Sequence, residues 1–185
     1  TSSSFKIIVM LLCLISIGIG GFYLTNNKRT QIVESKEENV EVKPETPNTE
    51  IKYQIYNNER FGFSVEVPSD FVPAHAFENN DGQGWNSPDG HLQLVVSGLY
   101  NTLQTDISDA KRKEIEKLGD SFSYEDEGND WYRLGWYENN KNIIKKVFMG
   151  KGAINTIVFA ISSDYVDKYE EIVAAIEESF KPGEL

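Results

Sequence analysis

The sequence predicts an α+β protein, a mostly antiparallel sheet flanked by helices and preceded by one N-terminal transmembrane helix. Three observations carry that reading. Residues Ile7 to Leu24 form an unbroken uncharged run, which at about 1.5 Å per residue comes close to the hydrocarbon thickness of a bilayer. From Ile51 onward, short stretches of period-two alternation recur between turn-forming clusters, the pattern of hairpin-connected strands. Two segments, one ending at Gly119 and one after Ser163, instead repeat apolar residues at helical spacing.

The apolar run is read as a signal-anchor spanning 7–24, with residues 1–6 as a short cytoplasmic N-terminus. Lys6 precedes it and Lys28 and Arg29 follow it, so local charge does not orient it. A cleaved secretory signal is the second reading, with Ser16-Ile17-Gly18 or Gly18-Ile19-Gly20 as the cleavage site. Phe22, Tyr23 and Leu24 prolong the run and suit a headgroup interface, which favours a retained span. Cys13, the single cysteine, follows Leu12 rather than the small residue of a lipid-attachment site. It reads as an inert apolar residue of the span.

Residues 25–50 change character. Six glutamates between Glu34 and Glu50 outnumber Lys36 and Lys43, Pro44 and Pro47 interrupt, and aromatics are absent. Such a segment buries too little apolar surface to offset its ordering entropy, and it is expected to be a disordered acidic linker with a span of roughly 25–30 Å. From Ile51 to the end, 13 Lys and Arg stand against 23 Asp and Glu, a balance of −10 within the chain's −11. That excludes a basic nucleic-acid footprint.

Residues 51–183 are one domain's length. Phe61, Phe63, Val65 and Val67 alternate with Gly62, Ser64 and Glu66, and Pro68 ends that strand. Two extended runs between Gln83 and Ser97 flank Ser87-Pro88-Asp89-Gly90, a turn sequence, and place Leu92, Leu94 and Val96 on one face. Thr105-Asp106 supplies an N-cap, and Ile107, Ala110, Ile115 and Leu118 share one side of a helix that stops at Gly119. Four more strands are expected at Phe122–Asp126, Trp131–Glu138, Ile143–Met149 and Ala153–Ile161, separated by connections short enough for hairpins. The last helix places Val166, Tyr169, Ile172, Val173, Ile176 and Phe180 on one stripe ahead of Pro182-Gly183.

No catalytic or cofactor signature emerges, and the chain reads as a non-enzyme without cofactor. His75 and His91 lack a second His or Cys at metal-ligand spacing. Around Asp81-Gly82, an EF-hand register would put Phe77 and Pro88 where oxygen ligands are needed, so a turn is the better reading. Glu125, Asp126, Glu127 and Asp130 read as a solvated hairpin tip. Nucleophile elbows and phosphate loops are absent. Aromatics are the informative remainder. In 131–138, Trp131, Arg133, Gly135 and Tyr137 share one face while Tyr132, Leu134, Trp136 and Glu138 share the other. Core packing explains one set, and the candidate groove for a peptide or sugar is Trp85, Tyr132 and Trp136.

The runs Asn58-Glu59-Arg60-Phe61-Gly62-Phe63 to Phe71, Asn80-Asp81-Gly82-Gln83-Gly84-Trp85 to Gly90, and Tyr169-Glu170-Glu171-Ile172-Val173 to Pro182 resemble bacterial members of the PsbP-like (Mog-type) superfamily. The resemblance covers most of 51–183. It implies an α/β/α sandwich around an antiparallel sheet, and a bias towards partner binding over catalysis. The functional expectation is therefore a single-pass cell-membrane protein whose extracytoplasmic domain binds an unidentified protein partner. The alternative is an envelope enzyme or small-ligand binder using the aromatic groove.

Overall fold

The computed structural model describes residues 50–183. The expected N-terminus (1–6), signal-anchor (7–24) and all but the last residue of the linker (25–50) lie outside the described residues. Strands β1 (Tyr53–Asn57) and β2 (Ser64–Pro68) pair as a two-stranded sheet. Strands β3 (Val72–Ala76), β4 (Gly82–Asn86), β5 (Leu92–Tyr100), β6 (Phe122–Glu127), β7 (Trp131–Glu138), β8 (Lys141–Met149) and β9 (Ala153–Ser162) build a seven-stranded sheet in the order β3-β4-β5-β9-β8-β7-β6. Every neighbouring pair is antiparallel. Helix α1 (Ile107–Leu118) connects β5 to β6, and α2 (Val166–Ser179) follows β9.

Side chains alternate along each strand, so the register sorts residues onto two faces. One face carries Leu94, Val96, Ile157 and Phe159, which pack with β2 and α2 around Val67 and Ile176 in the main core. The other carries Tyr132, Leu134 and Val147, which pack beneath the predicted apolar stripe of α1, Ile107, Ala110, Ile115 and Leu118. Helices thus cover both faces of one sheet, as the sequence led us to expect.

Local chemistry fixes α1. Asp106 is extended (φ −70°, ψ 141°) and accepts from the backbone N–H of Ser108 at 2.8 Å and of Asp109 at 3.3 Å, a cap worth about 1 kcal/mol. Gly119 then adopts φ 51°, which ends the helix at little steric cost. Asn139 and Asn140, at φ 50° and 61°, form the two-residue turn between β7 and β8, where both central residues need the left-handed region.

Two expectations need correction. The strand expected from Phe61 begins only at Ser64, because Gly62 turns to φ 70° and Asn58 closes the bend by accepting from the N–H of Phe61 at 2.8 Å. Phe61 and Phe63 are core residues all the same. Phe61 fills the space over Gly98, where a Cβ would stand 2.4 Å from its ring. Strands β1 and β3 were not anticipated: β1 is largely solvent-facing, and β3 is an edge strand interrupted by Pro73 and a register shift, so neither carries an apolar alternation.

Candidate functional site

Helix α1 lies over β7 and its cluster reaches Ile154 of β9, while among the described residues no helix is grouped with Val95 or Val158 further along the same face. The ladder defines what is presented there. Gln93 faces Ala160, which faces Ile143; Val95 faces Val158, which faces Lys145; Ser97 faces Thr156; Leu99 faces Ile154, which faces Met149. Val95, Val158, Ala160 and Ile143 are half-buried and belong to neither core. The result is a strip of apolar and uncharged side chains running alongside α1.

Ion pairs place the borders of that strip. Lys111 meets Glu127 at 2.5 Å and Glu125 at 3.5 Å, so its flank of α1 overhangs β6. The hydrogen bond with Glu127 outweighs burial and raises the Lys111 pKa. Glu114 receives Lys145 at 2.5 Å and the Tyr132 hydroxyl at 2.9 Å, at the line where α1 meets β8. Lys113 and Lys117, on other sides of the helix from Lys111, are exposed.

One end of the strip opens into a cleft of about 510 Å³ between the 101–106 connection and the β8–β9 turn, with Ile107 and Met149 as its apolar lining and Gln104, Asp106 and Lys151 as polar lining. Asn101 fixes this connection. Only 7% exposed, it donates Nδ2–H to the Gly150 carbonyl at 3.0 Å, accepts from the Thr105 N–H at 2.9 Å, and donates its backbone N–H to the Gly152 carbonyl at 2.9 Å. Gln104 is held at φ 48°, a strained state for a side chain with a Cβ. In this connection Leu103 is 87% exposed, and Leu99 near the end of β5 is 52% exposed.

The three residues of the predicted groove do not converge. Trp85 is 5% exposed in the main core, edge-on to Tyr56 with centroids 5.1 Å apart. Tyr132 faces the opposite side of the sheet and is buried beneath α1; burial first, and the Glu114 carboxylate second, raise its pKa, so it remains a donor to Glu114. Trp136 shares the face of Tyr132, is half-buried where α1 meets Ile143, and donates Nε1–H to Glu138 at 3.3 Å. Of the three, Trp136 alone borders the strip. Trp131 and Arg133, on the α2 side, belong to a pinning cluster in which Arg133 Nε and Lys146 Nζ each stand 3.1 Å from Glu177, with the Lys146 ammonium 4.2 Å from the Trp131 ring centre.

The acidic segments are likewise accounted for by neighbours. Asp81 pairs with Arg60, which also donates to the Asn79 carbonyl at 2.8 Å. The 87–91 turn ties α2 to the sheet through Asp89, which accepts from Lys168 Nζ at 2.6 Å, Ser87 Oγ at 2.7 Å, the His91 N–H at 3.1 Å and the Tyr169 hydroxyl. Burial opposes its ionisation, yet these bonds together hold the Asp89 carboxyl well below the usual carboxylate range. His91 stacks on Tyr165 with centroids 3.5 Å apart.

Residues of the strip escaped the sequence reading, though a signal was present. β9 reads Ala153-Ile154-Asn155-Thr156-Ile157-Val158-Phe159-Ala160-Ile161, apolar at nearly every position. A strand apolar on both faces needs cover on both, and among the described residues only one face of β9 receives it in full.

Solved structures place this architecture. The solution structure of cyanobacterial PsbP (CyanoP) from Synechocystis sp. PCC 6803 superposes with a TM-score of 0.55 at 13% identity, over 70% of this chain and 92% of that one. The domain has a PsbP-like fold. At that identity the likeness speaks for the fold alone. No protein-family model matches the chain, and no curated protein sequence matches it. The PsbP-like fold therefore supplies the frame, and the strip beside α1 is a property of this chain's own side chains.

Proposed function

We propose that the chain is a non-catalytic, membrane-tethered module on the outer face of the cell, and that its domain binds a protein partner along the strip beside α1. One observation carries this reading: among the described residues, half-buried Ile143, Val158 and Val95 form an uncharged run on one sheet face outside both cores, and Leu99 of the same face and Leu103 just beyond it are exposed. Removing apolar side chains from water is favourable, so a partner that covers this run would gain from it. Leu103 on its fixed connection suits an anchor, since little ordering entropy remains to be lost on binding. The tether is Ile7–Leu24, followed by the 25–50 spacer.

The test is cross-linking capture from membranes with the full chain and with Val158→Asp. A partner retained by the parent and lost by the variant, with equal thermal stability of the two, is the expected result. Equal capture by both would refute this surface. Protease added to intact cells is expected to remove the domain, and a protected domain would contradict the topology.

A second reading rests on the polar lining of the cleft, which suits a small polar ligand held by Gln104, Asp106 and Lys151. Ligand-induced stabilisation that survives Val158→Asp would favour it.

A further inference from the structure

We infer that two copies of the chain associate through the outer edge of β1, strand to strand in an antiparallel register centred on Ile55, so that the sheet continues as β2-β1-β1-β2. This edge is separate from the strip beside α1, and the inference stands independently of the protein-binding reading. The ladder fixes which backbone groups are free. Positions along an antiparallel pair alternate between bonded and non-bonded. The Asn58 N–H donates to the Phe63 carbonyl at 2.9 Å and the Ser69 N–H to the Lys52 carbonyl at 2.8 Å, at the two ends of the pairing that joins Tyr53 with Pro68 and Asn57 with Ser64. Gln54 and Tyr56 therefore bond to β2, while the N–H and C=O groups of Tyr53, Ile55 and Asn57 point outward. Pro68, which has no N–H to donate, stands opposite Tyr53 at a non-bonded position, as this phase requires.

The other strand edges among the described residues are closed or defended. Beyond β2, Ser64 exchanges backbone bonds with Lys181 at 3.0 and 2.9 Å, and Ser179 Oγ accepts from the Glu66 N–H at 2.9 Å. Strand β3 carries Pro73 and a register shift. Strand β6 carries Glu125, Asp126 and Glu127, so two copies joined there would set carboxylates against carboxylates. Strand β1 reads Tyr53-Gln54-Ile55-Tyr56-Asn57, with no charge, no proline and no positive φ, and nothing among the described residues pairs with its outer edge. A regular uncharged edge is a template for another strand. Its own sequence favours a second copy in that place. Centred on Ile55, Tyr53 meets Asn57, Gln54 meets Tyr56 and Ile55 meets its counterpart, so each outward residue exchanges both of its bonds with another outward residue. No like charges oppose, and the isoleucine, 66% exposed in one copy, covers itself in the pair. Five residues span only about 17 Å, short of the ~800 Å² per partner of a stable dimer, so the association is weak and concentration-dependent. The −10 balance of the chain from Ile51 onward opposes it from a distance and is screened beyond about 8 Å at physiological salt, so added salt strengthens the pairing.

The test follows the full chain in detergent from roughly 10 to 500 µM, by sedimentation equilibrium and by residue-resolved amide exchange. The expected result is an average mass that climbs towards the dimer, with the amides of Tyr53, Ile55 and Asn57 slowing as concentration rises and those of Gln54 and Tyr56, already bonded to β2, unmoved. Ile55→Lys and Ile55→Glu each set like charges opposite one another and are expected to weaken association at least about fivefold. Mixing the two variants is expected to restore it, and the recovery also shows that both are folded. A parent that stays monomeric, a dimer that Ile55→Lys leaves intact, or variants that fail to reassociate on mixing would overturn the inference. So would protection of Tyr53, Ile55 and Asn57 that is independent of concentration, the mark of an edge covered by another segment of the same chain.

Discussion

The Nζ of Lys145 stands 2.5 Å from Oε1 of Glu114, and this contact lies at the edge of the α1 cluster: across the ladder, Lys145 faces Val158, which among the described residues belongs to neither core. The same carboxylate accepts the hydroxyl of the buried Tyr132 at 2.9 Å. Glu114→Ala strands both donors. A buried hydroxyl without an acceptor costs about 1–3 kcal/mol, whereas a half-exposed ion pair contributes less. The expected loss is therefore about 1–2 kcal/mol in urea unfolding, with Lys145→Met losing less than Glu114→Ala. An unchanged midpoint for Glu114→Ala would show that the pair does not hold α1.

Asn155 is 2% exposed, sits between Gly98 and Phe148 in the ladder, and its Oδ1 has no hydrogen-bond partner among the described residues. Replacing an unsatisfied buried amide by an apolar side chain of similar size removes a desolvation penalty. Asn155→Val is expected to stabilise the domain by about 1 kcal/mol in urea, and destabilisation would show that the amide is satisfied in solution.

At Gln104, the φ of 48° stores strain that glycine would relieve. Gln104→Gly is expected to leave stability unchanged or raise it by up to about 1 kcal/mol. Asn101→Ala removes the anchor of the same connection and is expected to lower stability by about 1–3 kcal/mol. It should also quench the ordered presentation of Leu103, read as faster amide exchange at 102–105. Identical exchange in the parent and Asn101→Ala would contradict the anchoring role.

Asp89 links stability to pH. Its folded pKa is depressed below the ordinary 3.8, so its contribution is fully present above that value and is lost as pH falls through the folded value. Thermal melts from pH 7 downward are expected to show the parent losing stability below about pH 4 more steeply than Asp89→Asn. Parallel profiles would mean that Asp89 is no better held in the folded state than in the unfolded chain.

Much of the sheet was legible because its strands alternate cleanly: Leu92, Leu94 and Val96 on β5 and the turns at Asn139-Asn140 and Gly150-Gly152 lie where period and turn chemistry put them. Helix α1 was legible from Asp106 and Gly119. Strand β1 was not, because Gln54, Ile55 and Asn57 are exposed and carry no burial signal. The binding surface was harder still. Trp85 and Tyr132 drew attention as aromatics, but area alone does not say which side of a sheet a ring faces or what covers it, and both are buried. Val95 and Val158 gave a weaker signal, apolar residues on the second face of strands already committed on the first. Their place outside both cores follows from where α1 settles on the sheet, a tertiary fact that no local pattern in 107–118 contains.

The most direct test is to install a photo-cross-linking side chain in place of Val158 and, separately, of the exposed Glu170 on α2, then irradiate membranes carrying the full chain. Adducts to one partner from position 158 and none from position 170 are expected. Adducts from position 170 alone, or equally from both, would contradict a binding surface beside α1.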